Sequence, residues 1–152
     1  MTSASDPLAK DAVINAGWEH FSYDADIGIR GFGPTREKAF EEAALALMHV
    51  VANVDRVRPQ QRVEVTCEGD RLEVLLVEWL NALMFEMATT NMLFSRFVVV
   101  IDDGKLKARA WGEPIDFLSH ELIVEVKEAT DTELRVEPEP SGRWLAQCVV
   151  DV

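Results

Sequence analysis

Between Thr35 and Val54, the run TREKAFEEAALALMHVVANV places apolar residues at Phe40, Ala43, Ala44, Leu47, Val51 and Val54, steps that line one side of a helix. Thr35, after Pro34, suits the N-cap, and Glu37, Glu41 and Glu42 favour the positive end of the helix dipole. A second stripe, Leu72, Leu75, Leu76, Trp79, Leu80, Leu83 and Met87, predicts a helix through DRLEVLLVEWLNALMFEMATT, with Asp70 and Glu73 spaced as a capping box. Its Trp79, Met84 and Met87 are assigned to packing. Elsewhere the period falls to two. RVEVTC, SRFVVVI, KLKARAW, ELIVEVK, ELRV and RWLAQCVV read as strands. Asp102-Asp103-Gly104 reads as a hairpin turn, and Pro138, Pro140, Ser141 and Gly142 as a looser turn before the last strand. Runs of strands broken by two helices predict an α+β fold, with a mixed, mainly antiparallel sheet covered by two principal α-helices.

The run WEHFSYDADIGIRGFG, residues 18–33, reads as one more alternating stretch, with Asp24 and Asp26 on one face and Ala25, Ile27 and Ile29 on the other. On that pattern the two acids are either a solvated edge or half of an ion site. Gly28, Gly31 and Gly33 precede a helix but lack the Lys-Ser/Thr of a P-loop, so they are assigned to turn geometry.

Length and composition narrow the picture. The chain's 152 residues, 48% hydrophobic and 28% charged, suffice for one core, so residues 18–152 are expected to form a single domain behind a loose tail of residues 1–17. No apolar run reaches membrane-spanning length and the first residues lack a secretory pattern, which implies a cytoplasmic protein without membrane association. Cys67 and Cys148 have no CxxC partner and read as buried strand thiols. Fifteen basic against 27 acidic residues give a net charge of -12. That sign opposes direct nucleic-acid binding and suits cation binding or docking on a basic partner.

Common catalytic signatures (GxSxG, P-loop, GxGxxG, HExxH) are absent from the sequence, which lowers the expectation of an enzyme. His20, His49 and His120 lack zinc-site spacing; His49 is assigned to the helix surface or a satisfied half-buried place, and His120 is kept as a minor candidate for a partner surface. The strand WLAQCVV runs directly into Asp151 and Val152, so the Asp151 carboxylate and a terminal carboxylate would sit on a rigid element, oxygen ligands that suit calcium or magnesium. A fraying end is the plainer reading. Lys127 closes LIVEVK on the same face as Ile123 and Glu125, where an exposed lysine carries no chemistry by itself.

Four blocks in order, DADIGIRGFGPTREKAFEEAALAL, LLVEWLNALMFEMATTNMLF, KARAWGEPIDFLSHELIVEVKEAT and the closing WLAQCVVDV, resemble the archease family over residues 18–152. The resemblance implies a fold in which one strand-helix-strand-strand module is inserted into another. It also implies an accessory protein, itself no enzyme, that activates an RtcB-type RNA ligase in tRNA splicing and RNA repair by promoting ligase guanylylation and multiple turnover. Asp26, Asp151 and the Val152 carboxylate are implied ligands of a divalent ion, calcium first, with magnesium or manganese as alternatives, and Lys127 is an essential neighbour. A chaperone-like role toward RNA-modifying enzymes is the alternative; a metal-dependent phosphohydrolase using Asp24, Asp26, Asp151 and Lys127 ranks below it.

Two positions depart from the family pattern. Tyr23 stands where a histidine is usual ahead of Asp24-Ala25-Asp26, and Asp131 where a tyrosine is usual. A phenol in place of an imidazole removes a group that titrates near neutrality, and Asp131 adds a carboxylate.

Overall fold

The computed structural model describes residues 16–152. In chain order the elements are β1 (Gly17–Tyr23), β2 (Asp26–Gly33), α1 (Arg36–Val51), a single 3-10 turn (Val54–Arg56), β3 (Gln61–Glu68), α2 (Leu72–Thr90), β4 (Met92–Asp102), β5 (Lys105–Pro114), the one-turn α3 (Phe117–His120), β6 (Glu128–Ala129), β7 (Arg135–Pro138) and β8 (Trp144–Asp151). Two antiparallel sheets result. The five-stranded one runs β1-β2-β8-β6, with β7 sharing the outer edge of β8 with β6. The three-stranded one runs β3-β5-β4 and is continuous in sequence with α2. A strand-helix-strand-strand unit, residues 61–114, is therefore inserted between α1 and β6 of the other, as the resemblance implied.

The two helices hold the sheets together. On α1 the buried residues exceed one stripe, including Ala39, Phe40, Ala43, Ala44, Ala46, Leu47, Met48 and Val50. The reason is that α1 packs against β2 and β8 on one side and β4 on the other. Three bonds tie it in place: the His20 Nε2 to the Ala46 carbonyl at 2.8 Å, the Val99 N–H donating to Glu41 at 3.0 Å, and the Trp79 indole N–H donating to the Phe40 carbonyl at 3.1 Å. Thr35 caps α1 as expected, accepting from the Lys38 N–H. The stripe of α2 is buried from Leu75 to Leu83, and one contiguous core joins both sheets and both helices.

Several sequence expectations need correction. Residues 18–33 form a hairpin: Asp24 and Ala25 make its two-residue turn, with Asp24 at φ 50°, so Asp24 does not share a strand face with Asp26. A left-handed aspartate is tolerated, but Asp-Ala lacks the glycine that announces such turns. The glycines of GIRGFG lie within β2 rather than in a turn. A Cβ on Gly31 would run into the backbone of Ala39 and Ala43 on α1, and one on Gly28 would overlap the Phe21 ring. They are there for close approach. The N-cap of α2 is Arg71, without a side-chain bond, so Asp70 and Glu73 form no capping box. ELIVEVK is not a ladder strand: Glu121 is the left-handed cap of α3 and pairing begins only at Glu128, although Val124 and Val126 pack on the core while Ile123, Glu125 and Lys127 stay exposed. One-sided packing of a covering strap gives the same alternation as a strand. The expected tail falls outside the described residues up to position 15, and Gly17 already belongs to β1. Among the described residues no helix is long and apolar enough to cross a membrane.

Candidate functional site

The predicted ligands meet at one end of the five-stranded sheet. The last pair between β2 and β8 is Ile27↔Val150, and one further step sets Asp26 beside Asp151. Tyr23 pairs with Asp26 on β1, and Glu128 pairs with Asp151 on β6. Tyr23, Asp26, Asp151 and Glu128 therefore form one cross-strand row, in which neighbouring Cβ atoms stand roughly 5 Å apart. Asp26 Oδ1 accepts the Val152 N–H at 3.3 Å, which closes β8 onto β2 beyond the last ladder pair. Asp26, Asp151 and Val152 are half-buried, and the Val152 side chain packs on the core.

Lys127 joins this group through its backbone, its N–H donating to the Asp151 carbonyl at 2.8 Å. Two consecutive residues, Lys127 and Glu128, thus face Asp151, the count of a β-bulge, a device that re-aims side chains at strand ends. The Ala129 N–H donates to Asn81 on α2 at 2.9 Å, so the inserted unit buttresses this edge. Asp24 is exposed in the hairpin turn. Asp131 is exposed between Thr130 and Thr132, whose backbones bond Val149, two residues short of Asp151. Glu128 is the acid that sequence reasoning missed, because ELIVEVK and EAT gave no sign of where pairing with β8 would start.

The oxygens of Asp26, Asp151 and Val152 are hard donors, and no imidazole or thiol lies in the row, so the set fits calcium, magnesium or manganese rather than zinc. Among the described residues no three His, Cys, Asp or Glu side chains converge on one point. Two side-chain carboxylates and Val152 would thus hold such an ion with part of its shell open to a partner or water.

The structure removes other candidates. His120 is 1% exposed, so its ring offers almost nothing to a partner surface. Its Nδ1 accepts the Asp116 N–H at 2.9 Å, leaving Nε2–H to donate to Glu113 at 2.8 Å. Glu113 also accepts from the Arg58 backbone N–H at 2.9 Å and side-chain Nε at 3.1 Å. Alternation along β5 puts Glu113 outside with Trp111, but it is 6% exposed, beside the register shift of β4 between Phe94 and Arg96. The Arg58 N–H first, then the His120 bond, hold the Glu113 carboxyl down at about 2. A folded-state value below the ordinary 4.5 means its stabilisation is complete above that pH and is lost as the pH falls toward about 2. Acid unfolding followed by circular dichroism should therefore show a loss of stability across this window that is smaller in Glu113→Gln. His49 is half-buried and stacks on Trp18 with ring centroids 4.4 Å apart. Both cysteines are free thiols; burial pushes Cys148 up to about 12 and Cys67 up to about 11, which leaves neither a nucleophile near neutral pH.

Residues 18–152 match the model of the Archease protein family. The chain belongs to the archease family. Curated relatives agree: Protein archease of Pyrococcus furiosus is 42% identical over 139 residues, covering 89% of this chain and 98% of the relative. Protein archease of Methanopyrus kandleri is 38% identical over 139 residues, with 89% and 99% covered. The solution structure of Methanobacterium thermoautotrophicum protein 1598 superposes with a TM-score of 0.79 at 34% identity, covering 90% of this chain and 99% of that one. An archease from Thermotoga maritima, described as a possible chaperone, shares the fold at a TM-score of 0.59 and 17% identity, with 88% and 96% covered. The α+β architecture with one module inserted in another is thus the family fold.

Proposed function

We propose that this archease-family chain activates an RtcB-type RNA ligase, promoting formation of the covalent ligase-guanylate and repeated turnover, and is not itself the catalyst. The observation that carries the reading is the meeting of Asp26, Asp151, Val152 and the Lys127 backbone at one sheet end, from segments up to 126 residues apart. A half-buried acidic pair that holds a hard cation with open coordination would present that ion, and Lys127, to the nucleotide and metal region of a basic partner. The net charge of -12 favours such docking and its rate of encounter.

Purified ligase with GTP and manganese provides the test. Adding this protein at a small fraction of the ligase amount should raise the yield of ligase-guanylate, and an unchanged yield sinks the reading. The second reading is a chaperone-like helper of RNA-modifying enzymes. It is favoured by exposed apolar side chains at Phe117, Leu118 and Ile123, which are 71%, 92% and 63% exposed.

A further inference from the structure

The solvent face of the three-stranded sheet carries side chains that neither the core nor the acidic row uses. Alternation along β5 turns Lys105, Lys107, Arg109 and Trp111 outward in one line, and the register places Arg62 and Arg96 on either side of Trp111. The Arg96 guanidinium lies over the Trp111 ring, 4.7 Å from its centroid. Among the described residues, none of these five cations forms an ion pair. The exposed acids of this face are Glu64, Glu68 and Asp102, the last two flanking Lys105 at the turn end; Glu113, next after Trp111 on this side of β5, is buried and held by Arg58 and His120. Positive charge therefore concentrates toward Trp111. Beside Lys107 and Arg109 runs a shallow trough of about 280 Å³, floored in part by Val98 and Val100.

We propose that this face binds single-stranded nucleic acid, with phosphates along Lys107, Arg109 and the flanking arginines and a base stacked at Trp111. Alternate residues on an antiparallel strand are roughly 7 Å apart, so the β5 cations form an evenly spaced track for an extended polyanion. An acidic polypeptide would use the cations but has no need of a planar indole with a guanidinium over its ring. A base does, because every base offers a π-face. The net charge, which opposes nucleic-acid binding when treated as uniform, is an average over the surface; here five basic side chains stand beside three exposed acidic ones. The surrounding negative field makes the binding weak and short-ranged, with a Kd of about 10⁻⁴ to 10⁻⁶ M at moderate salt.

The test is fluorescence anisotropy of a labelled uridine RNA of about twelve nucleotides titrated with the intact protein. With four phosphates engaged, one for each of Lys107, Arg109 and the flanking arginines, affinity should fall about fiftyfold between 50 and 200 mM salt. The paired substitution Lys107→Gln with Arg109→Gln, both exposed side chains, should leave the melting temperature in place and lower the log-log salt slope by about 1.4. Trp111→Ala should weaken binding roughly tenfold, and Trp111→Phe should recover most of it. No anisotropy change at low salt overturns the proposal, as does binding that ignores the paired substitution. Displacement by polyglutamate as effective as by unlabelled RNA also overturns it, in favour of an acidic protein partner. No ligase is needed, so the outcome is independent of the guanylylation assay.

Discussion

Asp26→Asn should remove the proposed stimulation of ligase guanylylation and leave the fold standing. The asparagine oxygen still accepts the Val152 N–H that Asp26 Oδ1 receives at 3.3 Å, so the closure of β8 onto β2 is retained. What is lost is one of the two anionic side chains that would hold the proposed cation. Stimulation should drop at least tenfold, since changing even an outer partner of a metal ligand typically costs about 10–100-fold. Asp26→Ala loses the hydrogen bond as well, about 1 kcal/mol at a half-buried site, and should melt slightly earlier. Thermal melts beside the guanylylation assay separate the roles. If Asp26→Asn stimulates as well as the unaltered protein, the acidic pair is structural only; a chaperone-like protein would lose stability in Asp151→Ala without a selective loss of ligase activation.

Trp79→Ala should lower stability by about 3–5 kcal/mol, the range for truncating a fully buried large aromatic. Trp79 is 0% exposed, its ring meets Phe97 edge-on with centroids 6.0 Å apart, and its indole N–H reaches across to α1 at the Phe40 carbonyl. One side chain of the inserted unit is thus bonded to the helix around which the host sheet packs. Trp79→Phe, which keeps most of the volume but not the bond, should lose about 1 kcal/mol from the bond and somewhat more from the smaller ring. Urea unfolding gives both numbers. A loss under about 1 kcal/mol for Trp79→Ala would mean that the two units do not depend on this contact.

These predictions draw on what was readable in the chain and on what was not. The helices α1 and α2, the Thr35 cap and the Asp103-Gly104 turn are local chemistry, set by residues a few positions apart, and they stand in the structure, although α1 ends at Val51 and leaves Val54 to the 3-10 turn beyond it. Readings that needed partners distant in sequence did less well. Alternation in ELIVEVK could not distinguish a paired strand from a strap laid on the core, and Glu113 is pulled inward by Arg58 and His120, 55 and 7 residues away. Periodicity left Asp26 undecided between a wet edge and an ion site. Family resemblance singled it out beside Asp151, whereas Glu128 joined the row only once the β6–β8 register was known.

The bond from Val152 to Asp26 spans 126 positions and β2 pairs along its length with β8, so the second strand and the last are neighbours in the sheet. Contact order of this kind slows folding, because the loop must close before its contacts repay the lost entropy. It also sets a schedule during synthesis. At 5–20 residues per second, Asp26 waits roughly 6–25 s for its partners to leave the ribosome. Until then β2 keeps one edge open and the acidic row does not exist. A chain halted or clipped before residue 144 would carry Asp26 but no site, so whatever engages the row meets only molecules in which β8 has already closed onto β2.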